Sequence, residues 1–466
     1  MQYDYDLLVV GSGPGGQAAA SAAAQLGQRV ALIERKPYLG GVSLQTGTIP
    51  SKALREAAYL TSRAAGLGMR GALQRRAATE PGFLAAALRQ KDRVVESKEA
   101  QMLGRLMEEG VTLIPGEAGF VDAHTLAVVS PKGDVQPLSA AIIVLATGSR
   151  PRRPADVPFD KERVLDSTSI LKIRRLPGSL IVVGGGVIAC EFATMFAALG
   201  TRVTLVDSHA QPLAYLDADI QAELAGELHE SGIELRMNTR VAGIAPTDVG
   251  TGVTLTTQDG EVLEADALLY ALGREPNYDG LRLERAGLLA DDQGWVRINE
   301  HQQTAQSHIY IVGDLAGRPS LASTAMEQGR RAAHHAFGGA ASSDGGILPM
   351  AIYTIPEVSW VGETEAELQA RDAHYVSGSA RYCDTARGQI IGAEHGLLKL
   401  LVDRDSRAIL GVHILGESAS ELVHVGQMAM ACGAGVDRLA ATVFNYPTLA
   451  QCYKTAALDC MAQLEA

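Results

Sequence analysis

One order of elements occurs twice in this chain, and it constrains the fold more than any other feature. Residues 5–10, Tyr-Asp-Leu-Leu-Val-Val, read as a buried parallel strand. Gly11-Ser12-Gly13-Pro14-Gly15-Gly16 follows at once, then an Ala-rich helix to about Leu26, then a strand from Arg29 to Ile33 that ends in Glu34. In this order Gly11 makes the tight turn, Gly13 lets a pyrophosphate approach the backbone, and Gly16 lets helix and strand pack closely. Glu34 is placed for a ribose hydroxyl pair. The same grammar restarts after Pro177-Gly178. Strand Leu180–Val183 leads into Gly184-Gly185-Gly186-Val187-Ile188-Ala189, a helix carrying Glu191 runs to about Leu199, and strand Arg202–Val206 ends in Asp207. One glycine-rich turn is weak evidence, since such turns are common. Two complete copies predict two dinucleotide sites.

At 466 residues the chain has room for about three domains. Its 47% hydrophobic content supports large cores, and 50 glycines suit backbones that approach ligands closely. A formal net charge of -12 and a pI of about 5.4 argue against nucleic acid as a partner, because phosphate contacts need clustered Lys and Arg. No apolar run reaches the roughly 18 residues that a membrane-spanning helix needs, so no membrane partner is expected. The acidic N-terminus leads straight into a strand, which makes a signal peptide unexpected and the cytoplasm the expected compartment. Cys190, Cys383, Cys432, Cys452 and Cys460 contain no C-x-x-C pair and read as reduced, mostly buried thiols. His334, His335, His413 and His424 lack metal-ligand spacing and read as packing or surface residues, so no metal site is expected.

Residues 52–110 read as mainly helical, with a looser segment near Gly66–Pro81 and a solvated face at Gln90-Lys91-Asp92-Arg93. Short strands are expected at Val111–Ile114, Gly119–Asp122 and Thr125–Val129. Strand Ala141–Leu145 ends in Ala146-Thr147-Gly148, small residues past which a cofactor can lie. Ala267–Leu272 followed by Gly273-Arg274-Glu275-Pro276-Asn277 closes the second nucleotide unit. Ile309–Val312 runs into Gly313-Asp314, which puts a carboxylate at a sheet's C-terminal edge, suited to a sugar-alcohol hydroxyl. A small-residue helix follows from Leu321 to Ala333. The remainder reads as α+β, with strands at 353–355, 397–402 and 409–415 and helices near 418–432, 436–442 and 447–463.

The stretch 40–52, Gly-Gly-Val-Ser-Leu-Gln-Thr-Gly-Thr-Ile-Pro-Ser-Lys, opens a helix, with Thr48 or Ser51 as cap and Pro50 in the first turn. Its N-terminus would aim backbone N–H groups at an electron-rich ring. This stretch resembles the active-site segment of the class I flavoprotein disulfide reductases. With Pro-Ser-Leu-Ala-Ser at 319–323, Ile-Tyr-Thr-Ile-Pro-Glu at 352–357 and Phe-Asn-Tyr-Pro-Thr at 444–448, the resemblance extends over nearly the whole chain. Within that superfamily the chain resembles the soluble (Si-specific) pyridine nucleotide transhydrogenases. The resemblance implies an α/β fold of two Rossmann-like dinucleotide-binding domains plus a C-terminal α+β dimerisation domain. FAD would bind to residues 1–150 and 278–345 and NAD(P) to 151–277, while 346–466 would build a homodimer or higher homo-oligomer.

By the same resemblance, Gly11, Gly13, Gly16 and Glu34 hold the FAD adenosine and pyrophosphate. Arg35, Gly41, Val42, Ser43, Thr48, Ala118, Thr147, Gly148 and Ala322 lie along the cofactor, and Asp314 binds its ribityl chain. Gly184, Gly186, Ala189, Asp207 and Gly273 would line the nicotinamide nucleotide. Lys52 and Glu191 resemble the family's ion pair beside the flavin ring, where a fixed cation favours hydride arrival. The family's two redox cysteines, five residues apart, would fall on Ser43 and Thr48, which form neither disulfide nor thiolate. Its His-Pro-Thr-x-x-Glu base segment is here Tyr446-Pro447-Thr448-Leu449-Ala450-Gln451. A neutral Tyr, with a reference pKa of about 10, is a poor base. The transhydrogenases usually keep one cysteine at the position of Ser43 and an acid at that of Gln451; this chain has neither.

Asp207 would accept from a ribose 2′-OH and repel a 2′-phosphate, and Ser208-His209-Ala210-Gln211 adds no Arg, so NAD(H) is favoured at the second site. Ala189 as the third small residue leans weakly toward NADP(H). The expected activity is FAD-mediated hydride transfer between NAD(H) and NADP(H). Alternatives are an NADH-dependent diaphorase, quinone reductase or oxidase, and a non-catalytic flavin-bound redox sensor.

Overall fold

The computed structural model of the chain describes residues 3–64, 81–247, 252–292, 294–317, 319–339 and 346–466. It forms two compact units. One comprises Met1–Leu54, Ala86–Arg152 and Gly273–Ser342; the other comprises Arg55–Ala85, Arg153–Leu272 and Ser343–Ala466.

In the first unit Tyr5–Val10 is a central strand. It runs parallel to Val30–Glu34 on one side and to the second half of Val135–Leu145 on the other. Thr112–Pro115 and Ile309–Ile311 extend this parallel sheet at its two edges. Leu7, Leu8 and Val9 are fully buried, as a parallel strand covered on both faces requires. Each contributes about 1.5–3 kcal/mol relative to exposure. Helices Pro14–Gln25 and Ala322–Phe337 cover one face, and small residues bring them together. A Cβ on Gly329 would stand 2.0 Å from the Gly15 carbonyl oxygen, so only glycine permits this approach. The first half of Val135–Leu145 turns antiparallel to Thr125–Val129, which pairs with Glu117–Asp122.

The second unit repeats the plan. Its parallel strands lie in the order Glu234–Arg236, Arg202–Val206, Ser179–Val183, Ala267–Tyr270, Val164–Leu165. A three-stranded antiparallel sheet, Val241–Pro246, Val253–Thr257 and Val262–Ala265, follows as in the first unit. The C-terminal part carries a five-stranded antiparallel sheet in the order Met350–Ile352, Glu357–Gly362, Ile409–Gly416, Leu397–Asp403, Tyr375–Arg381. Helices Ala419–Ala431 and Gln451–Glu465 pack on it through a core that includes Val412, Ile414, Val423, Tyr453 and Cys460. This is the α/β architecture with an α+β C-terminal part.

Four sequence expectations are corrected. Residues 353–355 form no strand: the Tyr353 N–H donates to Glu191 at 2.9 Å and the Ile355 N–H to Thr194 Oγ1 at 3.2 Å, so side chains of helix Val187–Ala198 take the bonds a sheet would have used. The strand lies just before, at Met350–Ile352, and a second at Glu357–Gly362 was not foreseen. The strand expected from Ala141 begins at Val135. Ser51 sits inside helix Thr48–Ala64 rather than capping it, its hydroxyl donating to the Thr48 carbonyl at 3.2 Å, and Thr48 is the first helical residue. The looser segment expected at 66–81 lies, up to residue 80, outside the described residues. Among the described residues no helix is long and apolar enough to cross a membrane.

Candidate active site

Each parallel sheet builds a nucleotide cradle at the carboxyl end of its central strand. In the first, Gly11 has φ +105°, and a Cβ there would stand 2.5 Å from the Ala146 carbonyl oxygen. A Cβ on Gly16 would stand 1.9 Å from the Gly11 oxygen. Gly13 caps helix Pro14–Gln25 with no side-chain hydrogen bond, so the N–H groups of the first turn stay available to an anion. Gly41 brings the next segment onto this turn, where a Cβ would lie 2.9 Å from the Gly13 Cα. The tight path of the backbone around this turn is therefore set by three glycines whose Cβ atoms would each fall within 3 Å of a backbone atom.

Glu34 ends its strand beside the turn. Its Oε2 accepts the Ser12 N–H at 2.9 Å and the Ser12 hydroxyl at 2.7 Å, and its Oε1 accepts the Lys36 N–H at 2.9 Å. The Ser12 oxygen also accepts the Gly40 N–H at 3.0 Å, tying three loops together. Arg35, beside Glu34, lies 3.7 Å from Glu117 on the surface. Ala118 is buried in its strand. Thr147 and Gly148 are clasped by Asn277. The Thr147 hydroxyl donates to the Asn277 carbonyl at 2.7 Å, Asn277 Nδ2 donates to the Thr147 carbonyl at 3.0 Å, and the Asn277 N–H to the Gly148 carbonyl at 2.9 Å. Asp314 accepts from the Ser149 hydroxyl, and Arg274 donates to the same hydroxyl and to the Ser149 carbonyl, each at 2.8 Å. Ala322 opens helix Ala322–Phe337, again without a side-chain cap.

Ser12, Asn277, Ser149 and Arg274 were not singled out from sequence. Ser12 had one readable signal, its place between the first two glycines with an acid due at the next strand's end. The others act across 125 or more residues, and no local pattern announces that.

In the second cradle Gly184 has φ +115°, and a Cβ would meet the Ala271 carbonyl oxygen at 3.0 Å. Gly186 caps helix Val187–Ala198 with no side-chain bond. Ala189 holds the third position fully buried, where the first cradle tolerates only glycine. Gly273, φ +91°, follows the strand Ala267–Tyr270. Asp207 repeats the role of Glu34, its Oδ2 accepting the Gly185 N–H. Its Oδ1 accepts the His209 N–H at 2.7 Å and faces His209 Nδ1 at 2.6 Å. The Asp207 side chain is 5% exposed and the His209 side chain 72%. Glu191 is buried on helix Val187–Ala198, where it accepts the Tyr353 N–H.

Val42 and Ser43 lie on the short helix Gly41–Gln45, and Lys52 in the early turns of helix Thr48–Ala64. All five cysteines are free. Burial pushes the thiols of Cys190, Cys452 and Cys460 up to about 12, so they stay protonated and unreactive. Tyr446 is exposed and Gln451 begins helix Gln451–Glu465. His413 is buried with Nε2 at 2.8 Å from the Glu363 carbonyl, His335 meets the Tyr310 hydroxyl, and His424 lies at the surface beside Gln427.

Residues 5–329 match the family described as pyridine nucleotide-disulphide oxidoreductase, and residues 348–457 match that family's dimerisation domain. The chain belongs to this family. Among its oxidoreductase relatives, the soluble pyridine nucleotide transhydrogenase of Mycobacterium tuberculosis (strain ATCC 25177 / H37Ra) is 44% identical, over 99% of this chain and 98% of that one. The soluble pyridine nucleotide transhydrogenase of Escherichia coli O81 (strain ED1a) is 40% identical over 99% of each. The crystal structure of LpdA from Mycobacterium tuberculosis superposes with a TM-score of 0.87 at 29% identity, covering 97% of this chain and 99% of that one. The HOCl-induced flavoprotein disulfide reductase RclA from Escherichia coli, as a Cu(II) complex, gives 0.87 at 26%, covering 98% and 99%. FAD and NAD(P)(H), which this oxidoreductase family implies, fit the two cradles: each offers an uncapped helix N-terminus, a first glycine at positive φ (Gly11 and Gly184) and an acid fixed at the next strand's end.

Proposed function

We infer that this chain is an FAD-dependent oxidoreductase, a homodimer, that passes hydride between NAD(H) and NADP(H) without a disulfide relay. One observation carries the reading: two complete dinucleotide cradles accompany Ser43 and Thr48, side chains that cannot exchange with a disulfide. FAD held in the first cradle supplies the two-electron, hydride-accepting chemistry. Hydride exchange needs no protein acid or base, which agrees with an exposed Tyr446 and with Gln451 where a thiol-activating pair would stand.

The chain's own residues bind and orient. Ser12 and the Lys36 N–H fix Glu34 while leaving Oε1 further acceptor capacity for a ribose hydroxyl. Ser149 and Arg274 hold Asp314 for a sugar-alcohol hydroxyl. We assign Lys52 and Glu191 to the surroundings of the reacting ring. The motif around Lys52 and the burial of Glu191, with its carboxylate fixed by a backbone N–H, support this. Asp207 marks the adenosine ribose of the second nucleotide. Val443, 90% exposed, with Tyr446, Met428 and Leu458 also exposed, supports assembly through the C-terminal domain. The buried, protonated thiols support a reducing compartment, and we place the protein in the cytoplasm.

The test is turnover of FAD-loaded protein with NADPH and thio-NAD⁺ in the absence of any disulfide, beside parallel reactions with glutathione disulfide and lipoamide. The first should proceed and the others should not. Disulfide reduction, or NADH oxidation supported only by oxygen or a quinone, would overturn the reading.

A further inference from the structure

Hydride exchange between NAD(H) and NADP(H) through one carrier requires one pocket to take an adenosine ribose with either a 2′-hydroxyl or a 2′-phosphate. We propose that His209 is the residue that reads the 2′-phosphate, and that it does so only in its protonated form. This rests on the reading that the second cradle serves both nucleotides.

The geometry of the strand end carries the proposal. Asp207 does not present a bare carboxylate. Its Oδ2 accepts the Gly185 N–H, its Oδ1 accepts the N–H and ring of His209, and its side chain is only 5% exposed, so little of the carboxylate faces outward. The group that faces outward is the imidazole, 72% exposed. A carboxylate only accepts, so the ring nitrogen at 2.6 Å, Nδ1, must carry its proton toward Asp207. That fixes the tautomer. In the neutral ring Nε2 is then a lone pair, which accepts from a ribose hydroxyl and repels a phosphate. Protonation places an N–H donor and a positive charge at the same outward position, suited to a phosphate oxygen. The loop is held in this pose. The Leu213 N–H donates to the Gly185 carbonyl at 2.9 Å, and the Asn238 N–H donates to the His209 carbonyl at 2.9 Å.

Other charged groups around the pair are few or engaged. Arg236, on the adjacent strand Glu234–Arg236, directs its guanidinium to Glu234 at 2.7 Å and Glu261 at 3.4 Å. Cys190, on the helix behind, is a buried neutral thiol, with the Glu191 and Asp207 carboxylates opposing its ionisation further. Arg240 stands exposed beyond Asn238. Ser208, Ala210, Gln211 and Pro212 bring no charge.

The test uses FAD-loaded protein and two probes that undergo no chemistry, 5′-AMP and 2′,5′-ADP, with binding followed calorimetrically. At about pH 5.5 the unaltered protein should bind 2′,5′-ADP about tenfold more tightly than H209N does, and at about pH 8.5 the two should bind it equally. H209R should bind it tightly at both. Binding of 5′-AMP, which can lose no more than one neutral hydrogen bond to the His209 ring, should change among the three proteins by much less than binding of 2′,5′-ADP does at about pH 5.5. The free probe's phosphate titrates identically in every experiment, so the comparison between proteins removes that contribution. An advantage over H209N that stays constant with pH, or no advantage at all, overturns the role of His209. Failure of 5′-AMP to compete with NADH is a separate result, and it overturns the shared-site reading on which the proposal stands.

Discussion

The Glu191 carboxylate accepts the backbone N–H of Tyr353 at 2.9 Å, so the helix of the second cradle is fastened to the chain that enters the C-terminal sheet. In the proposed reaction this buried carboxylate has two tasks, to hold that segment and to stand beside the reacting ring. The two can be separated. Glu191→Ala strands the Tyr353 N–H and should lower unfolding free energy by about 1–3 kcal/mol. Glu191→Gln keeps an acceptor of the same shape and should cost well under that. Denaturant unfolding measures both, and a larger loss of hydride-transfer rate in Gln than in stability would isolate the charge.

The two cradles should respond unequally to exchange at the third small residue. Gly16→Ala drives a Cβ to 1.9 Å from the Gly11 oxygen, forcing the turn open. It should cost about 1–3 kcal/mol and leave the purified protein depleted of flavin. Ala189→Gly removes a Cβ that its site already accommodates, and should cost only the roughly 1 kcal/mol of a helical glycine. Flavin absorbance per protein, with thermal unfolding, checks the pair.

Lys399 is a buried ammonium, its side chain 2% exposed, among Asp217 at 2.8 Å, Asp219 at 2.6 Å and Glu365 at 2.7 Å. Burial opposes the charge of Lys399, and the hydrogen bonds to the three carboxylates outweigh it, raising its pKa. Burial likewise opposes the charge of Asp217, and the Lys399 hydrogen bond outweighs it, lowering its pKa. Lys399→Met leaves Asp217 uncompensated and should cost about 3–5 kcal/mol, partly recovered by adding Asp217→Asn. The raised lysine contributes stability fully below its unfolded value of about 10.4 and loses it as pH climbs through the folded value. The lowered aspartate contributes above about 3.9 and loses it as pH falls. The stability gap between wild type and variant should therefore be widest near neutrality and narrow at both extremes.

Two pairs of stacked imidazoles set an acid limit. His124 and His308 stack at 3.9 Å and His301 and His335 at 4.2 Å between ring centroids. Burial, then the neighbouring ring, holds His308 and His335 below the ordinary histidine value, and burial does the same to His413. A histidine lowered in the folded state leaves the unfolded chain binding more protons. Stability is then intact above about pH 6.5 and lost as pH falls below it, chiefly through the buried His413 and half-buried His308 and little through the exposed His335, whose shift solvent screens. His395, raised by Glu230 and its neighbours against its own burial, works the other way and offsets one of them. Unfolding free energies between pH 7.5 and 5 should decline, and His308→Gln should flatten the decline.

What the sequence disclosed was local. Glycine turn, helix and terminal acid lie within about thirty residues, and the register of a parallel strand follows from its apolar run. Hence Gly11, Gly16 and Gly184 stand at strand-to-helix turns, and Glu34 and Asp207 at or just past the end of the next strand, as the pattern predicts. The segment at 353–355 misled because its β-like residues spend their N–H groups on Glu191 and Thr194, far off in sequence. Asn277, Ser149 and Arg274 were illegible for the same reason. The engagement of both Asp207 oxygens could not be read from an acid at a strand end, since nothing local says which way a carboxylate will turn.

The most direct test of hydride exchange through a single nucleotide site is an initial-velocity matrix in NADPH and thio-NAD⁺, run anaerobically on FAD-loaded protein. Parallel reciprocal lines, with excess NADPH inhibiting competitively against thio-NAD⁺, are the predicted result, because each nucleotide must leave before the other enters. Intersecting lines would mean that both are bound at once and would contradict a shared site, and the absence of any thio-NAD⁺ reduction would contradict the function itself.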